Sequence, residues 1–245
     1  MPCFRSLIES KVAQQEGALP SKWEGLRNPS LTALLGLQLF LMFLALPLAA
    51  GGTPIAQWVG QPLLLLALSL VVMLSRRGIA IGMILVGMAG IAASIVLEWA
   101  QTSGSVLNRG GVILIFSALT WIVASAVYAP GRITYHRLQG AAVVYLSLAT
   151  IFVAAFSLAW ELLPDAFANL PAEARSPREF ATMLYFSLAT LTTTGYGDIV
   201  PLHPFARSLA NLESLIGQFY LATTVARLVS LELVHRRGGD LLVRQ

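Results

Sequence analysis

Six apolar runs, each about long enough to cross a lipid bilayer, take up about half of this 245-residue chain. A transmembrane helix needs about 20 consecutive apolar residues, because it rises about 1.5 Å per residue through a hydrocarbon layer of about 30 Å. The runs occupy residues 31–50, 55–74, 79–97, 112–129, 141–160 and 205–233. Since the first five contain no Asp, Glu, Lys or Arg, the pattern predicts a multi-pass membrane protein.

The composition indicates the same class of protein. Hydrophobic residues make up 56% of the chain and charged residues 11%, whereas soluble domains carry about 25% charged residues. Cys3 is the single cysteine, so a disulfide framework within one chain is excluded. We therefore expect an all-α integral membrane fold with six transmembrane helices.

Basic residues are distributed unevenly between the runs. Of the 16 Lys and Arg residues, eleven lie on one side of the predicted membrane, four lie on the other, and Arg227 lies within the sixth run. Cytoplasmic loops carry the excess of Lys and Arg. Both termini are therefore predicted to be cytoplasmic, and Arg109 is predicted to lie in an outer loop.

A further apolar segment, 180–191, is too short to cross a bilayer. Stretches of about 10 to 14 apolar residues are typical of re-entrant segments. Ser176, Pro177 and Glu179 form the pattern of an N-cap, a first-turn proline and a capping-box partner, so a helix is predicted to begin at Pro177. A helix that ends partway through the membrane directs the negative end of its dipole inward, which favours a cation there.

Residues 192–198 read Thr-Thr-Thr-Gly-Tyr-Gly-Asp and directly follow this short segment. Irregular backbone at membrane depth is tolerated only where it is buried in protein or lines a water-filled path. The alternating glycines, Gly195 and Gly197, leave the carbonyl groups free to point one way and to replace the hydration shell of a cation. The stretch resembles the selectivity filter of tetrameric potassium channels, Thr-Val-Gly-Tyr-Gly, with Thr194 in place of Val.

This resemblance implies potassium sites formed by the carbonyl oxygens of the filter and by the hydroxyl of Thr193, with no other cofactor. The predicted filter residues are Thr193, Thr194, Gly195, Tyr196 and Gly197. In that family the Val side chain points away from the ion. Thr194 is therefore expected to alter the packing behind the filter more than the coordination of the ion.

Three other residues are predicted to support the filter. In the family the residue that corresponds to Asp198 bonds an aromatic residue of the pore helix, and Tyr185 occupies the matching place. Glu213 is an ionisable residue in the outer half of the last run, so it is expected to face protein behind the filter. An alternative role for Glu213 is to tune the conducting state of the filter.

The last run carries the predicted inner helix. Gly217 lies where the family often has a gating hinge, although close helix packing explains a glycine there about as well. A helical spacing of i, i+3, i+4 and i+7 gives one cavity-lining face, formed by Gln218, Leu221, Ala222 and Val225.

Three basic residues are predicted to lie near the inner lipid headgroups. Arg227 is expected to reach them by extending its side chain along the helix. Arg236 and Arg237 follow the span, where they either attract anionic lipid or only anchor the topology.

Six spans with a filter between the fifth and sixth resemble the layout of voltage-gated channels. In such channels the fourth span carries gating charges, each worth about 2.3 kcal/mol per 100 mV. The run 112–129 contains no Arg or Lys, so strong voltage dependence of that type is not expected. Small residues in the third run, including Gly82, Gly87 and Gly90, predict tight helix packing instead.

The filter stretch occurs once in the chain, whereas the pore of such a channel needs four copies around one axis. The chain is therefore expected to form a homotetramer. The predicted segments are a cytoplasmic segment 1–30, a four-helix unit 31–130, a cytoplasmic linker 131–140, a pore domain 141–233 and a basic cytoplasmic tail 234–245. No cleavable signal is expected at the start, and the tail is too short for a soluble ligand domain.

These features together predict a passive potassium channel, similar to small prokaryotic channels with six spans and located in a plasma membrane such as the bacterial inner membrane. One alternative is a poorly selective cation channel. Another is a non-conducting membrane subunit that retains a filter-like loop. Enzymatic chemistry is not expected, because Ser, His and acidic residues lie at different depths without metal-ligand spacing. A nucleic-acid partner is not expected either.

Overall fold

The computed structural model describes residues 32–45, 78–99, 104–128, 135–170 and 178–243. The described part of the chain is mostly helical, as the apolar runs predict. In chain order its helices are α1 (Thr32–Leu44), α2 (Gly78–Trp99), α3 (Ser105–Val127), α4 (Tyr135–Leu162), α5 (Arg178–Leu191) and α6 (Pro204–Val243). The last residues of α1 belong to a π-helical segment, Leu41–Ala45. The predicted span 55–74 and the predicted segment 1–30 lie outside the described residues.

Two of the described helices are long and apolar enough to cross a membrane. They are Ser105–Val127, which is α3, and Arg137–Leu162, which is most of α4. Thr32–Leu44 and Ile81–Leu97 are apolar but shorter. The structure thus contains the apolar helices expected of a membrane protein, and the number of six spans stays a prediction.

Several helix ends differ from the predicted limits. α3 begins at Ser105 instead of 112, and α4 begins at Tyr135, within the predicted linker 131–140. α6 continues to Val243, through most of the predicted tail. An apolar run ends at the first charged residue. A helix can continue beyond that residue if its charge is paired or lies outside the apolar region.

Glycines bring the backbones of α2 and α3 into contact. A Cβ added at Gly87 would lie 2.8 Å from the carbonyl oxygen of Gly111, and a Cβ added at Gly111 would lie 2.6 Å from that of Gly87. Gly90 lies close to the carbonyl oxygen of Leu107, but Gly82 faces open space. The packing predicted from small residues is therefore present at Gly87 and Gly90, and it does not extend to Gly82.

The buried side chains form two apolar clusters. The first joins α1, α2, α3 and α4, and its members include Leu34, Ile84, Phe116, Leu119 and Val144. The second joins α4, α5 and α6. It contains Phe152, Phe156, Met183, Phe186 and Ala210, so α4 has a face in both clusters and connects the preceding helices to the last two.

Two short strands link the loop after α4 to the segment before α6. β1 (Phe167–Ala168) pairs antiparallel with β2 (Val200–Pro201), and Phe167 lies opposite Pro201. The pairing brings the Phe167 ring edge-on to Phe156 and Phe186, with centroids 6.0 and 5.5 Å apart. Aromatic pairs at such distances contribute about 0.5–1.5 kcal/mol beyond their area burial. Both ends of the segment that contains α5 and residues 192–198 are thereby held near the second cluster.

Candidate ion-conduction site

The short apolar segment predicted to be re-entrant forms α5. One face of this helix, with Met183, Leu184, Phe186 and Ser187, is buried, whereas Tyr185 is exposed in the single chain. The helix ends at Leu191, immediately before the predicted filter. The predicted cap residues Ser176 and Pro177 lie outside the described residues.

The first amide groups after α5 bond back to the helix. The amide of Thr193 donates to the carbonyl oxygen of Thr190 at 2.9 Å, and those of Thr194 and Gly195 donate to Ala189 at 2.8 and 3.1 Å. These bonds satisfy carbonyl groups that a helix C-terminus leaves unpaired. The amide side of the segment therefore faces the helix end.

The backbone from Thr193 to Gly197 has positive φ at every second residue. Thr193, Gly195 and Gly197 have φ of 57°, 58° and 78°, while Thr194 and Tyr196 lie outside the positive-φ region. Positive φ at every second residue allows successive peptide groups to turn the same way, with amides on one side and carbonyls on the other. Because the amides of Thr194 and Gly195 point to α5, the carbonyl groups are left for another ligand.

Hydroxyl groups connect the start of the filter to the neighbouring helices. The Thr192 hydroxyl donates to the Leu188 carbonyl at 2.7 Å and lies 2.8 Å from the Thr194 hydroxyl. The Gln218 amide on α6 donates to the Thr193 hydroxyl at 3.0 Å. The structure thus brings Gln218, predicted to lie below the filter, into contact with Thr193.

Tyr185, Tyr196 and Asp198 meet beside the filter. The two tyrosine rings are stacked with centroids 5.8 Å apart and an interplanar angle of 10°. The Tyr185 hydroxyl lies near enough to the Asp198 carboxylate to interact with it, and that carboxylate accepts a hydrogen bond from the amide of Ile199 at 3.0 Å. The pair predicted from the resemblance, Asp198 and Tyr185, is therefore brought together.

Glu213 lies fully buried behind α5, with 0% of its surface exposed. It accepts a hydrogen bond of 2.5 Å from the Ser187 hydroxyl, which also lies 3.1 Å from the Ala149 carbonyl oxygen. The second carboxyl oxygen of Glu213 has no partner among the described protein atoms. Glu213 thus faces protein and, through Ser187, joins α6 to α5 beside α4.

Gly217 lies where α6 crosses the end of α5. A Cβ added there would be 2.3 Å from the carbonyl oxygen of Leu191, so the crossing requires the absence of a side chain. The same end of α5 accepts bonds from Ser214 to the Thr190 carbonyl at 3.1 Å and from Tyr145 to the Leu191 carbonyl at 3.3 Å. Packing accounts for this glycine, and a hinge role stays a prediction.

The predicted cavity face of α6 is uncovered in the single chain. Its members, Gln218, Leu221, Ala222 and Val225, are all exposed. Gln218 on this face bonds Thr193, and the four side chains are otherwise accessible in the described part of the single chain. The lining of a cavity by these residues stays a prediction.

Arg227 contacts the end of α3. Its guanidinium donates to the carbonyl oxygen of Tyr128 and lies 5.0 Å from the centroid of the Tyr128 ring. The Tyr128 hydroxyl lies 2.8 Å from that of Thr224 on α6. The predicted lipid contact of Arg227 stays a prediction beside this protein contact, and so do the lipid contacts of Arg236 and Arg237, which lie within α6.

A charge cluster that the sequence does not predict connects α3, α4 and α5. Arg109 on α3 forms ion pairs with Glu161 at the end of α4 and with Glu179 in the first turn of α5. The predicted topology puts all three residues on the outer side of the membrane, which is a signal that they could meet. Glu161 and Glu179 lie 52 and 70 residues after Arg109 in the chain, so no local sequence pattern indicates that they pair with it.

Comparison with known proteins gives one family match and two partial matches to potassium channels. Residues 140–232 match a family described as ion channel. Over 73 residues, 30% of this chain, it is 34% identical to the inward rectifier potassium channel Kirbac3.1 of Paramagnetospirillum magnetotacticum, of which 23% is covered. Over 46 residues, 19% of this chain, it is 44% identical to the potassium voltage-gated channel protein shk-1 of Caenorhabditis elegans, of which 9% is covered.

The matched stretches therefore span less than a quarter of either relative. No solved structure matches this chain.

Proposed function

We propose that this protein, whose residues 140–232 match an ion channel family and which is similar over part of its length to two potassium channels, is one subunit of a homotetrameric channel selective for potassium. The observation that carries the proposal is the alternating backbone from Thr193 to Gly197. The family similarity supports ion transport. The filter geometry supports selectivity, because it leaves a row of carbonyl groups available to a dehydrated cation.

In this proposal potassium sheds its water into sites formed by four copies of the filter. Each subunit contributes the carbonyl oxygens of Thr193, Thr194, Gly195 and Tyr196, together with the Thr193 hydroxyl. The C-terminus of α5 adds the negative end of a helix dipole. Conduction is passive, because adjacent sites exchange ions without a coupled chemical step.

Exposed apolar side chains on α6 support assembly with other subunits. Leu212, Leu215 and Phe219 are 49%, 54% and 62% exposed in the single chain. They follow a helical spacing of three and four residues, which gives one continuous stripe. In the tetramer this stripe is covered by a neighbouring subunit, and the filter strands meet at the common axis.

The helices that precede the pore domain serve a role other than charge-based voltage sensing. The predicted fourth span, residues 112–129, contains no Arg or Lys, and Arg109 near the start of α3 is held by two carboxylates. In this proposal residues 31–130 form a four-helix membrane unit, and 141–233 form the pore domain. The protein lies in a plasma membrane, with both termini on the cytoplasmic side.

Two other functions predict different behaviour. A poorly selective cation channel would conduct sodium and potassium about equally, with Thr194 as the altered filter position. A non-conducting subunit would assemble without carrying current. The complete filter with Gly195 and Gly197 at positive φ favours the selective channel over both, and the ion channel family indicates transport rather than enzymatic chemistry.

The test is the reversal potential of the purified protein in a planar bilayer with potassium on one side and sodium on the other. We expect a value near the potassium equilibrium potential and a current without steep dependence on voltage. A value near zero with clear current would establish the poorly selective channel instead. The absence of current in bilayers that contain anionic lipid, under tension and across a range of pH, would favour the non-conducting subunit.

A further inference from the structure

Arg109 contacts three acceptors on two helices of the pore domain. Its guanidinium donates to the carboxylates of Glu161 and Glu179, the latter at 2.6 Å, and to the backbone oxygen of Ser157 at 2.8 Å. Ser105, one turn earlier on α3, donates to the other carboxyl oxygen of Glu161. A guanidinium suits this position, because its planar fork carries five donors in a fixed arrangement.

The charges of this cluster depend on Arg109. One cation lies between two carboxylates, and the Arg109, Glu161 and Glu179 side chains are only 18%, 28% and 22% exposed. Without Arg109, two partly buried carboxylates would face each other, and like charges at short range repel. Glu179 also lies in the first turn of α5, where the helix dipole favours a negative charge.

The position of Glu179 matters for the filter, because α5 is a short rigid rod. Its 14 residues extend about 21 Å at 1.5 Å per residue. At the far end, the carbonyl oxygen of Ala189 accepts the amides of Thr194 and Gly195. A displacement of the first turn is therefore transmitted to the backbone that holds the filter.

α3 is attached to the pore domain at both of its ends. Arg109 near its start bonds α4 and α5. Tyr128 directly after its end bonds Thr224 and Arg227 of α6. α3 also packs through Gly111 against Gly87 of α2, so a movement of α2 and α3 reaches the outer end of α5 through Arg109.

We propose that Arg109 is a positioning residue for the filter, and that through it the helices α1 to α3 control whether the filter conducts. This inference rests on the proposed function, since it concerns the regulation of the same pore. Arg109 touches no permeating ion. It fixes the position of the first turn of α5, and thereby the position of the filter at the other end of this helix.

Glu179→Gln is the sharpest variant, because it removes the charge that links α3 to α5 and leaves Arg109 paired with Glu161. We expect single-channel recordings to show an open probability at least fivefold lower than that of the unmodified protein. Unitary conductance and the potassium-to-sodium permeability ratio should be unchanged, because the filter atoms are intact. A purely structural role would instead reduce the yield of tetramer and leave the open probability of the surviving channels unaltered.

Arg109→Gln should lower the open probability further, at least tenfold, because two carboxylates are then left without a cation. The double variant Arg109→Gln with Glu179→Gln should be no worse than Arg109→Gln alone, since the repulsion is removed with the second charge. Arg207→Gln is the charge control. It removes a positive charge from the outer side, where the Arg207 side chain donates to the Pro201 backbone oxygen at 2.9 Å, and its open probability should stay within twofold of that of the unmodified protein.

Open probabilities within twofold of the unmodified protein for both Glu179→Gln and Arg109→Gln would overturn the inference while leaving the channel proposal intact. If the unmodified protein carries no potassium current, the proposed function fails. Hydrogen exchange then tests whether the Arg109 cluster still holds residues 192–198 in place. In Glu179→Gln the amides of residues 178–182 and 192–198 should then exchange at least tenfold faster than in the unmodified protein. Equal exchange at both segments would refute the link between Arg109 and the filter.

Discussion

Thr193 is held in a backbone conformation that β-branched residues rarely adopt. Its φ of 57° lies in the left-handed region, which costs a non-glycine residue about 1–2 kcal/mol. Its hydroxyl donates to the Thr192 carbonyl at 2.7 Å and accepts from Gln218 at 3.0 Å. Strain of this kind persists at functional sites, and here the hydroxyl is the feature that a glycine would lack.

Two substitutions at Thr193 separate the strain from the hydroxyl. Thr193→Ser keeps the hydroxyl and should conduct potassium within threefold of the unmodified protein. Thr193→Gly relieves about 1 kcal/mol of strain, so thermal unfolding should shift little or upward, while the unitary potassium conductance falls because one ligand per subunit is lost. Equal conductance of the Ser and Gly variants would show that the hydroxyl takes no part in permeation.

Gly195 has a φ of 58° and nothing within 4 Å of an added Cβ in the single chain. In Gly195→Ala the methyl group therefore acts through the backbone conformation, at about 1–2 kcal/mol per subunit. We expect the tetramer to persist and the selectivity for potassium over sodium to fall at least tenfold, measured by reversal potential. Gly110→Ala is the matched control, because that helical glycine also has nothing within 4 Å; unchanged selectivity in Gly195→Ala would contradict the filter assignment.

At the scale of elements, α6 and α5 are joined by a close crossing and by buried polar contacts. Gly217 meets the Leu191 carbonyl, Ser214 bonds Thr190, and Glu213 bonds Ser187. The buried pair lies 26 residues apart in the chain. The end of α5 is therefore held by α6, so a movement of α6 would displace the helix end that precedes residues 192–198.

Gly217→Ala should disturb this crossing, because the new methyl group would lie 2.3 Å from the backbone oxygen of Leu191, which also accepts a hydrogen bond from Tyr145. Overpacking of this kind costs about 1–3 kcal/mol. We expect a lower thermal unfolding temperature and reduced potassium current. Gly82→Ala is the control, since nothing lies within 4 Å of that position on α2 and alanine is the better helix former. Equal stability of both variants would favour the hinge role of Gly217 over packing.

The sequence predicts elements better than it predicts their ends and contacts. The run 79–97 matches α2 (Gly78–Trp99) closely, because periodicity and apolar length are local properties. The predicted span 112–129 begins seven residues after the start of α3 at Ser105. The apolar pattern is interrupted at Arg109, and it cannot show that Glu161 and Glu179 neutralise this residue. Those contacts are set by tertiary packing.

The resemblance to potassium channels, predicted from residues 192–198, is supported by the similarity of the chain to an ion channel family and to parts of two potassium channels. It could be recognised in the sequence because a filter needs a contiguous backbone with defined residue types. The pairing of Asp198 with Tyr185 also follows from that family pattern. The contacts of Gln218 with Thr193 and of Arg227 with Tyr128 join residues 25 and 99 positions apart. No local pattern encodes these two contacts, since they depend on how α6 packs against residues 192–198 and against the end of α3.

At the scale of the whole molecule, the single chain leaves the predicted filter and one stripe of α6 uncovered. Residues 192–198 are exposed, although such a backbone at membrane depth has to be buried in protein or line a water-filled path. The stripe of Leu212, Leu215 and Phe219 on α6 is likewise exposed. Both surfaces are accounted for together if the filter faces a shared axis and the stripe faces a neighbouring subunit.

The last prediction tests this arrangement with one bulky substitution at two exposed leucines. Leu215 on α6 and Leu85 on α2 are 54% and 63% exposed, but only Leu215 belongs to the proposed interface. Native mass spectrometry of the unmodified protein should give four copies of the 26.3 kDa chain. Leu215→Trp should reduce that tetramer, because a packed interface does not accept the added volume, whereas Leu85→Trp should leave it unchanged, because fluid lipid does. A tetramer that survives Leu215→Trp intact would place the subunit contact on another face of α6.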